Sequence, residues 1–106
     1  MGEEKRIHDR TGIVLPLRVQ AGERELEGES IDISAGGVRV SLPEDLPFGA
    51  KVKVHVVLPT LGEETAIDAE VRWSRKDPSG WFLVGLQFQR VRARETWALN
   101  QLMRKA

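Results

Sequence analysis

Cysteine is missing from the chain, and neither sign of charge is in excess. None of the 106 residues is Cys, and 16 Lys and Arg residues balance 16 Asp and Glu residues. The lack of Cys excludes a disulfide framework, a thiolate metal site and thiol redox chemistry, and it fits a reducing cytoplasm. The net charge of zero argues against the broad basic surface of a general nucleic-acid binder. Any site for an anion must therefore be local.

Long apolar runs are missing as well. No segment approaches the roughly 20 apolar residues that a membrane-spanning helix needs, and the N-terminus is polar where a signal peptide would be apolar. We therefore expect a cytoplasmic protein with no membrane insertion. A chain of 106 residues is long enough for one domain and too short to hold a catalytic domain beside it.

The sequence divides into a polar leader and a folded domain. Residues 1–12 are almost all polar or charged, so they cannot bury enough apolar surface to offset the entropy that is lost on ordering. We expect them to form a flexible N-terminal arm. Residues 13–106 carry the apolar patterns of a fold, and we assign them to one domain.

Six segments of this domain have the composition or the period-two alternation that is typical of strands. They are residues 13–20, 25–33, 38–42, 52–58, 67–74 and 81–88. Six short strands at close spacing favour a closed antiparallel β-barrel, because closure removes exposed edges. Residues 93–105 contain no Pro or Gly and place apolar residues at helical spacing, which predicts a C-terminal helix. The predicted fold class is all-β with one terminal helix.

Two arginines, Arg6 and Arg10, stand four positions apart in the N-terminal arm. A guanidinium group keeps its charge, donates through a rigid fork and stacks on flat rings, so arginine binds both phosphate oxygens and guanine. In an extended arm the two positions are about 13 Å apart, from roughly 3.3 Å per residue. They can therefore contact different parts of one dinucleotide.

A second polar motif ends the second predicted strand, with Asp32, Ser34 and Gly37 at its key positions. The Asp32 carboxylate can accept hydrogen bonds from the N1–H and N2–H groups of guanine, and Ser34 can donate or accept beside it. The period of two places Asp32 and Ser34 on one face of the strand, and Ile31 and Ile33 on the other. Gly37 removes a Cβ where the backbone turns or closely approaches a ligand.

The two motifs, RxxxR and DxSxxG, resemble those of the PilZ domain, which binds the bacterial second messenger cyclic di-GMP. The resemblance covers nearly the whole chain and implies a six-stranded antiparallel PilZ-type β-barrel with a C-terminal α-helix, in agreement with the strand count. It implies that the ligand contacts are Arg6, Arg10, Asp32, Ser34 and Gly37. Secondary candidates are Lys5, Gly36, Arg39 and Trp73. Because Trp73 lies on the apolar face of its predicted strand, we expect it to belong to the core.

The resemblance implies a receptor. Such a protein binds cyclic di-GMP and relays the level of this messenger to a partner protein that controls motility, attachment or exopolysaccharide output. We expect it to need no metal ion or other cofactor and to be a monomer or weak dimer, and the number of nucleotides per site is open. The alternative is a PilZ-like protein-interaction adaptor that does not bind nucleotide.

Two other classes of function are disfavoured by the residues themselves. An enzyme would need a nucleophile beside a base, but the chain has no Cys, and Ser34 has no evident activating partner. His8 and His55 lack companion ligands at metal-binding spacing, so we expect no metal site. A barrel for polymeric nucleic acid would combine basic residues with an aromatic ladder, and the sequence does not have this pattern.

Overall fold

The computed structural model describes residues 14–105, with side chains through residue 102. This part of the chain forms β1 (Pro16–Ala21), β2 (Arg24–Ile33), β3 (Gly37–Leu42), β4 (Lys51–Val57), β5 (Glu64–Lys76), β6 (Phe82–Phe88) and α1 (Ala93–Lys105). The predicted arm, residues 1–12, lies outside the described residues, so the prediction of its flexibility stays untested.

The strands form one closed antiparallel barrel in the order β1-β2-β3-β6-β5-β4. Strand β1 pairs with β2 on one side and with β4 on the other, which closes the sheet. The predicted fold class is confirmed. Glycines with positive φ, Gly22 at 64° and Gly62 at 75°, lie in the turns of the β1–β2 and β4–β5 hairpins, where a side chain would be strained.

The core of the barrel follows the alternation in the sequence. Val19, Val40, Val54, Val71 and Val84 come from five different strands, and each of them is 0% exposed. Branched aliphatic side chains pack well on a pleated surface, which explains why valine dominates these positions. The residues between them face outward and form the polar outer surface on which the candidate site lies.

The C-terminal helix packs on the barrel near the β4–β5 turn. Ala98 and Leu99 are fully buried, and the Thr60 hydroxyl donates to the Ala98 carbonyl oxygen at 3.3 Å. This apolar face fixes the helix to the barrel. In the part of the chain that the structure describes, no helix combines the length and the apolar character needed to cross a membrane.

A buried carboxylate holds the first turn of α1. Glu95 is 4% exposed, and it accepts hydrogen bonds from the Thr65 hydroxyl, from the Arg92 guanidinium at 2.8 Å and from the Arg92 backbone N–H at 3.3 Å. The last contact has the geometry of one half of a capping box. Burial alone would raise the pKa of Glu95, but the hydrogen bonds from Arg92 and Thr65 outweigh it and lower the pKa below the ordinary value of 4.5.

A β-bulge interrupts β2 beside β3. The residues opposite Ser30 and Asp32 are consecutive in β3, so Ile31 is the extra residue on β2. Ser30 and Ile33 point inward with 1% and 2% exposure, whereas Ile31 is only half-buried. The prediction that Ile31 and Ile33 share one face is therefore wrong, because the bulge shifts the alternation by one residue.

A second β-bulge interrupts β5 beside β6. Val71 pairs with Leu86 and Trp73 pairs with Gly85, so Arg72 is the extra residue on β5. Val71 is fully buried, but Trp73 is 38% exposed and lies on the outer face of the barrel. The expectation of a core position for Trp73 is wrong, since the bulge turns its side chain outward.

Candidate ligand-binding site

A cavity of about 390 Å³ lies on the outer face of the barrel, where β2 ends and where β3, β5 and β6 run side by side. Its volume is within the range of small-molecule sites. Among the sequence-predicted candidates, those that line it are Asp32, Ser34, Gly36, Gly37, Arg39 and Trp73. Every candidate that falls within the described residues therefore belongs to one cavity. Lys5, Arg6 and Arg10 lie outside the described residues.

An ion pair joins the β2 and β3 sides of the cavity. Asp32 and Arg39 are directly opposite each other in the register of the two strands. The Arg39 Nε donates to Asp32 Oδ2 at 2.9 Å, and Nη2 of the same guanidinium donates to the same oxygen. The Asp32 side chain is 18% exposed. Arg39 therefore orients the Asp32 carboxylate, the group that is expected to contact guanine.

The loop between β2 and β3 is a turn built on Ser34. The Ser34 backbone N–H donates to the Gly37 carbonyl at 2.9 Å, and the Ser34 hydroxyl oxygen accepts from the Gly36 N–H at 3.2 Å. This hydroxyl-to-backbone contact is typical of turns that begin with Ser. The serine therefore has a structural role, and the same contact holds its hydroxyl at the edge of the cavity.

The two glycines of this loop differ in what surrounds them. A Cβ on Gly37 would meet the Leu86 carbonyl oxygen at 2.3 Å, so β3 can approach β6 here only because Gly37 has no side chain. A Cβ on Gly36 would meet nothing closer than the Ser34 hydroxyl at 3.9 Å. The glycine of the DxSxxG motif is thus required by packing alone, before any ligand is considered.

Trp73 forms part of the cavity wall and lies flat against Gly85. A Cβ on Gly85 would come within 2.3 Å of the indole atoms Cε2 and Nε1 of Trp73. The Arg75 guanidinium carbon lies 5.7 Å from the centroid of the Trp73 ring, within the range of a cation–π contact. The indole is held in place by these neighbours and keeps 38% of its surface exposed.

Arg72 and Gln87 also line the cavity, and sequence reasoning missed both of them. Arg72 is the bulged residue of β5, and its Nη1 donates to Gln87 Oε1 at 3.2 Å. The alternation gives no sign of a bulge at this position. A weak signal does exist in Gly85, because a glycine inside a strand often marks a site where another group approaches closely.

The contacts of Leu15, just before β1, show from which end of the barrel the chain enters β1. Leu15 and Ser30 are joined by two hydrogen bonds of 2.9 Å, from the Leu15 N–H to the Ser30 hydroxyl and from the Ser30 N–H to the Leu15 carbonyl. They extend the β1–β2 register beyond the pair of Pro16 and Glu29. Since β1 and β2 are antiparallel, the chain arrives at β1 from the end of β2 that carries Asp32.

The sequence matches the model of the PilZ domain over residues 4–105, which is nearly the whole chain. The chain belongs to the PilZ domain family. Membership places it among domains of the cyclic di-GMP-type receptor and adaptor class. No protein of curated function matches the chain significantly. Within residues 14–105, no three His, Cys, Asp or Glu side chains are grouped as metal ligands.

Solved structures of other proteins share this fold. The motility inhibitor MotI/DgrA of Bacillus subtilis is 30% identical to this chain, with a TM-score of 0.75. The match covers 88% of this chain and 46% of the MotI/DgrA chain, so this PilZ chain spans about half the length of MotI/DgrA. The PilZ domain of Escherichia coli YcgR with c-di-GMP is 17% identical, with a TM-score of 0.67 over 89% and 82% of the two chains. The PilZ domain of CeSA from a cellulose-synthesising bacterium is 23% identical, with a TM-score of 0.62 over 88% and 92%. The last two likenesses support the fold alone.

Proposed function

We propose that this PilZ domain is a cyclic di-GMP receptor that relays the level of the messenger to a partner protein. One observation carries the proposal. The fold gathers Asp32, Ser34 and Gly37, together with the secondary candidates Arg39 and Trp73, around a single cavity of about 390 Å³. The match to the PilZ family supports the choice of ligand.

Asp32 and Ser34 would read the guanine. The N1–H and N2–H groups of guanine are donors, and a carboxylate with about four acceptor positions can receive them while it is paired with Arg39. Adenine does not present this pair of donors. Trp73 lies at the same cavity with an exposed indole, which is suited to stacking on a base.

The arm would supply cations for the phosphates. Arg6 and Arg10 precede β1, and the described chain reaches β1 from the end of the barrel where Asp32 lies. In the proposed complex these arginines contact the phosphodiesters from outside while the barrel holds the guanine. Binding brings residues 1–12 against the cavity and so changes the surface that the protein presents.

That new surface is the proposed output. A partner protein in motility, attachment or exopolysaccharide control would recognise it, and the likeness to a structure described as an inhibitor of motility favours the first of these. The proposal does not include a chemical reaction. It treats the nucleotide as a ligand whose binding energy shifts the protein between two surfaces.

Calorimetric titration of the purified chain with cyclic di-GMP tests the proposal. We expect saturable binding that excess GTP does not compete away. Loss of one charge-assisted contact weakens binding by about 10- to 100-fold, so Asp32→Ala, and Arg6→Ala combined with Arg10→Ala, should each show at least this loss. The double arginine variant should keep the wild-type melting temperature, whereas Asp32→Ala should melt lower because it also loses the ion pair with Arg39.

The matched control is Arg24→Ala. Arg24 pairs with Glu44 and does not line the cavity, so its removal should leave the affinity within about twofold. Absence of binding by the wild-type chain would support the alternative of an adaptor that does not bind nucleotide. Equal losses in the Arg24 and Asp32 variants would show that the effect is not local to the cavity.

A further inference from the structure

The cavity is electrostatically asymmetric. On the side of β2 and β3, the cation Arg39 is paired with the carboxylate of Asp32. On the side of β5, Arg72 also lines the cavity, and no carboxylate among residues 14–105 lies within ion-pair distance of it. The second cation is therefore not neutralised within the described part of the protein, and its field extends into the cavity.

Two neutral groups hold Arg72 in position. Its Nη1 donates to Gln87 Oε1 at 3.2 Å, and its guanidinium carbon lies 5.8 Å from the centroid of the Phe48 ring. Phe48 is 74% exposed, and its ring is the surface over which the Arg72 guanidinium lies. Both neighbours orient the guanidinium and leave its charge intact.

The β5 bulge is the reason that Arg72 and Trp73 face the same cavity. In a regular strand, consecutive side chains point to opposite faces, so one of the two would point into the core. As the extra residue, Arg72 shifts the register, and both side chains lie on the outer surface. Bulges commonly redirect side chains beside functional sites.

We propose that Arg72 is a phosphate-binding residue of the barrel itself, which contacts a phosphodiester oxygen of the bound nucleotide. This inference rests on the proposed function. It adds an orientation to that function: the guanine edge is directed to Asp32 and the phosphodiester to Arg72. Gln87 and Phe48 act as positioning residues. A preoriented guanidinium fork that has no competing carboxylate among residues 14–105 is suited to a phosphate.

Titration of full-length variants with cyclic di-GMP tests this role. Arg72→Gln keeps the polar chain and removes the charge, and it should weaken binding by about 10- to 100-fold, as expected for a charge-assisted contact. Arg72→Lys keeps the charge without the fork, so it should lose measurable affinity but less than Arg72→Gln, because lysine does not replace a forked contact. Lys76→Gln is the matched control: Lys76 ends the same strand and does not line the cavity, so its effect should stay within about twofold.

Salt separates an electrostatic role from a structural one. Mobile ions screen a charge contact, with a Debye length of about 10 Å at 0.1 M, so the ratio of wild-type to Arg72→Gln affinity should shrink as NaCl rises from about 50 mM to about 500 mM. The melting temperature should not change, since the side chain is on the surface. Phe48→Ala should weaken binding by less than Arg72→Gln, because it removes only the orientation of the cation.

The outcomes distinguish this inference from the proposed function. If the wild-type chain binds and Arg72→Gln binds equally well, the phosphate role of Arg72 is overturned and the receptor function stands. If Arg72→Lys loses as much affinity as Arg72→Gln, or if the loss does not depend on salt, the contact is not a charge contact with phosphate. If the wild-type chain does not bind, both proposals fail.

Discussion

The indole of Trp73 lies directly against Gly85 on the neighbouring strand, in the space that a side chain would occupy at any other residue. An added Cβ would be 2.3 Å from both Cε2 and Nε1 of the ring. The bulge at Arg72 places the tryptophan opposite this glycine and outside the core. Gly85 of β6 thus leaves the space into which the indole of Trp73, a cavity-lining residue of β5, packs.

The first prediction follows from this contact. The new methyl group in Gly85→Ala would overlap the Trp73 indole and force it to move. Overpacking of this kind lowers the free energy of unfolding by about 1–3 kcal/mol. We expect a lower midpoint in urea and a changed Trp73 fluorescence spectrum. The measurement needs a background in which Trp81 and Trp97 are replaced by Phe, since both are exposed and would mask the signal.

In that background, Trp73→Leu is the reference for a barrel without the indole. Adding Gly85→Ala to it should cost clearly less than Gly85→Ala costs when Trp73 is present, because the atoms that the new Cβ meets are mainly those of the indole. If the free-energy costs of the two substitutions are simply additive, the direct contact between Gly85 and the Trp73 indole is contradicted.

The second prediction compares adjacent glycines. Gly37→Ala places a Cβ at 2.3 Å from the Leu86 carbonyl oxygen, and we expect a loss of about 1–3 kcal/mol or more, because backbone must move. Gly36→Ala meets nothing closer than 3.9 Å and should change stability by no more than about 0.5–1 kcal/mol in either direction. Urea unfolding of the pair measures this contrast. Equal destabilisation would show that the close approach of β3 and β6 is not what requires Gly37.

The third prediction concerns Glu95 and pH. Its pKa in the folded protein is below the ordinary 4.5 of the unfolded chain, so its stabilising effect is complete above about that pH. As the pH falls below 4.5, the Glu95 carboxyl is protonated in the unfolded chain before it is protonated in the folded protein. The stabilisation therefore decreases as the pH falls, and it is gone once the pH is well below the folded-state pKa.

The measurement is the difference in unfolding free energy between wild type and Glu95→Gln. We expect about 1–3 kcal/mol at pH 7, the range for a buried group in charge-assisted hydrogen bonds, and a smaller difference at pH 3. Glu63→Gln is the control, since Glu63 pairs with Arg94 on the surface and should contribute less than about 1 kcal/mol at either pH. A difference for Glu95 that grows on acidification would contradict the direction of its pKa shift.

The fourth prediction concerns Arg90, which joins β6 to α1 with φ at 52°. The left-handed region costs a residue with a Cβ about 1–2 kcal/mol, so Arg90→Gly should remove this strain from the folded state. The glycine also makes the unfolded chain more flexible, and this entropy effect opposes the gain in stability. We expect a net change between zero and a gain of about 1 kcal/mol. Arg90→Lys should be neutral, and Arg90→Val should destabilise. Thermal unfolding of the three variants is sufficient, and an unaffected Val variant would argue against strain at this position.

The barrel was predictable from the sequence because its core is simple. Valines alternate with polar residues in β3 and β4, so a period of two identifies both the strands and their buried faces. The grouping of Asp32 and Ser34 was predictable too, since a short polar motif at a strand end places its side chains together. The cavity that these residues share with Trp73 needed the fold, because β2 and β5 are far apart in the sequence.

The two bulges were not predictable from the alternation. Ile31 and Trp73 are apolar and stand in phase with buried neighbours, so a regular strand would place both of them inside. Only the pairing with β3 and β6 shows the extra residues, and this pairing depends on the closed sheet. Arg72 was missed for a different reason: a regular strand already places its side chain outward, and only the fold shows that it lines the same cavity as Asp32 and Trp73.

A titration of isotope-labelled protein with cyclic di-GMP, followed through the backbone amide and indole N–H resonances, tests the central proposal most directly. We expect saturable shifts concentrated on residues 32–39, on Trp73 and on residues 85–87, the segments that contribute to the lining of one cavity in the structure. An unchanged spectrum at saturating nucleotide, or shifts confined to Trp81 and Trp97 away from that cavity, would contradict it.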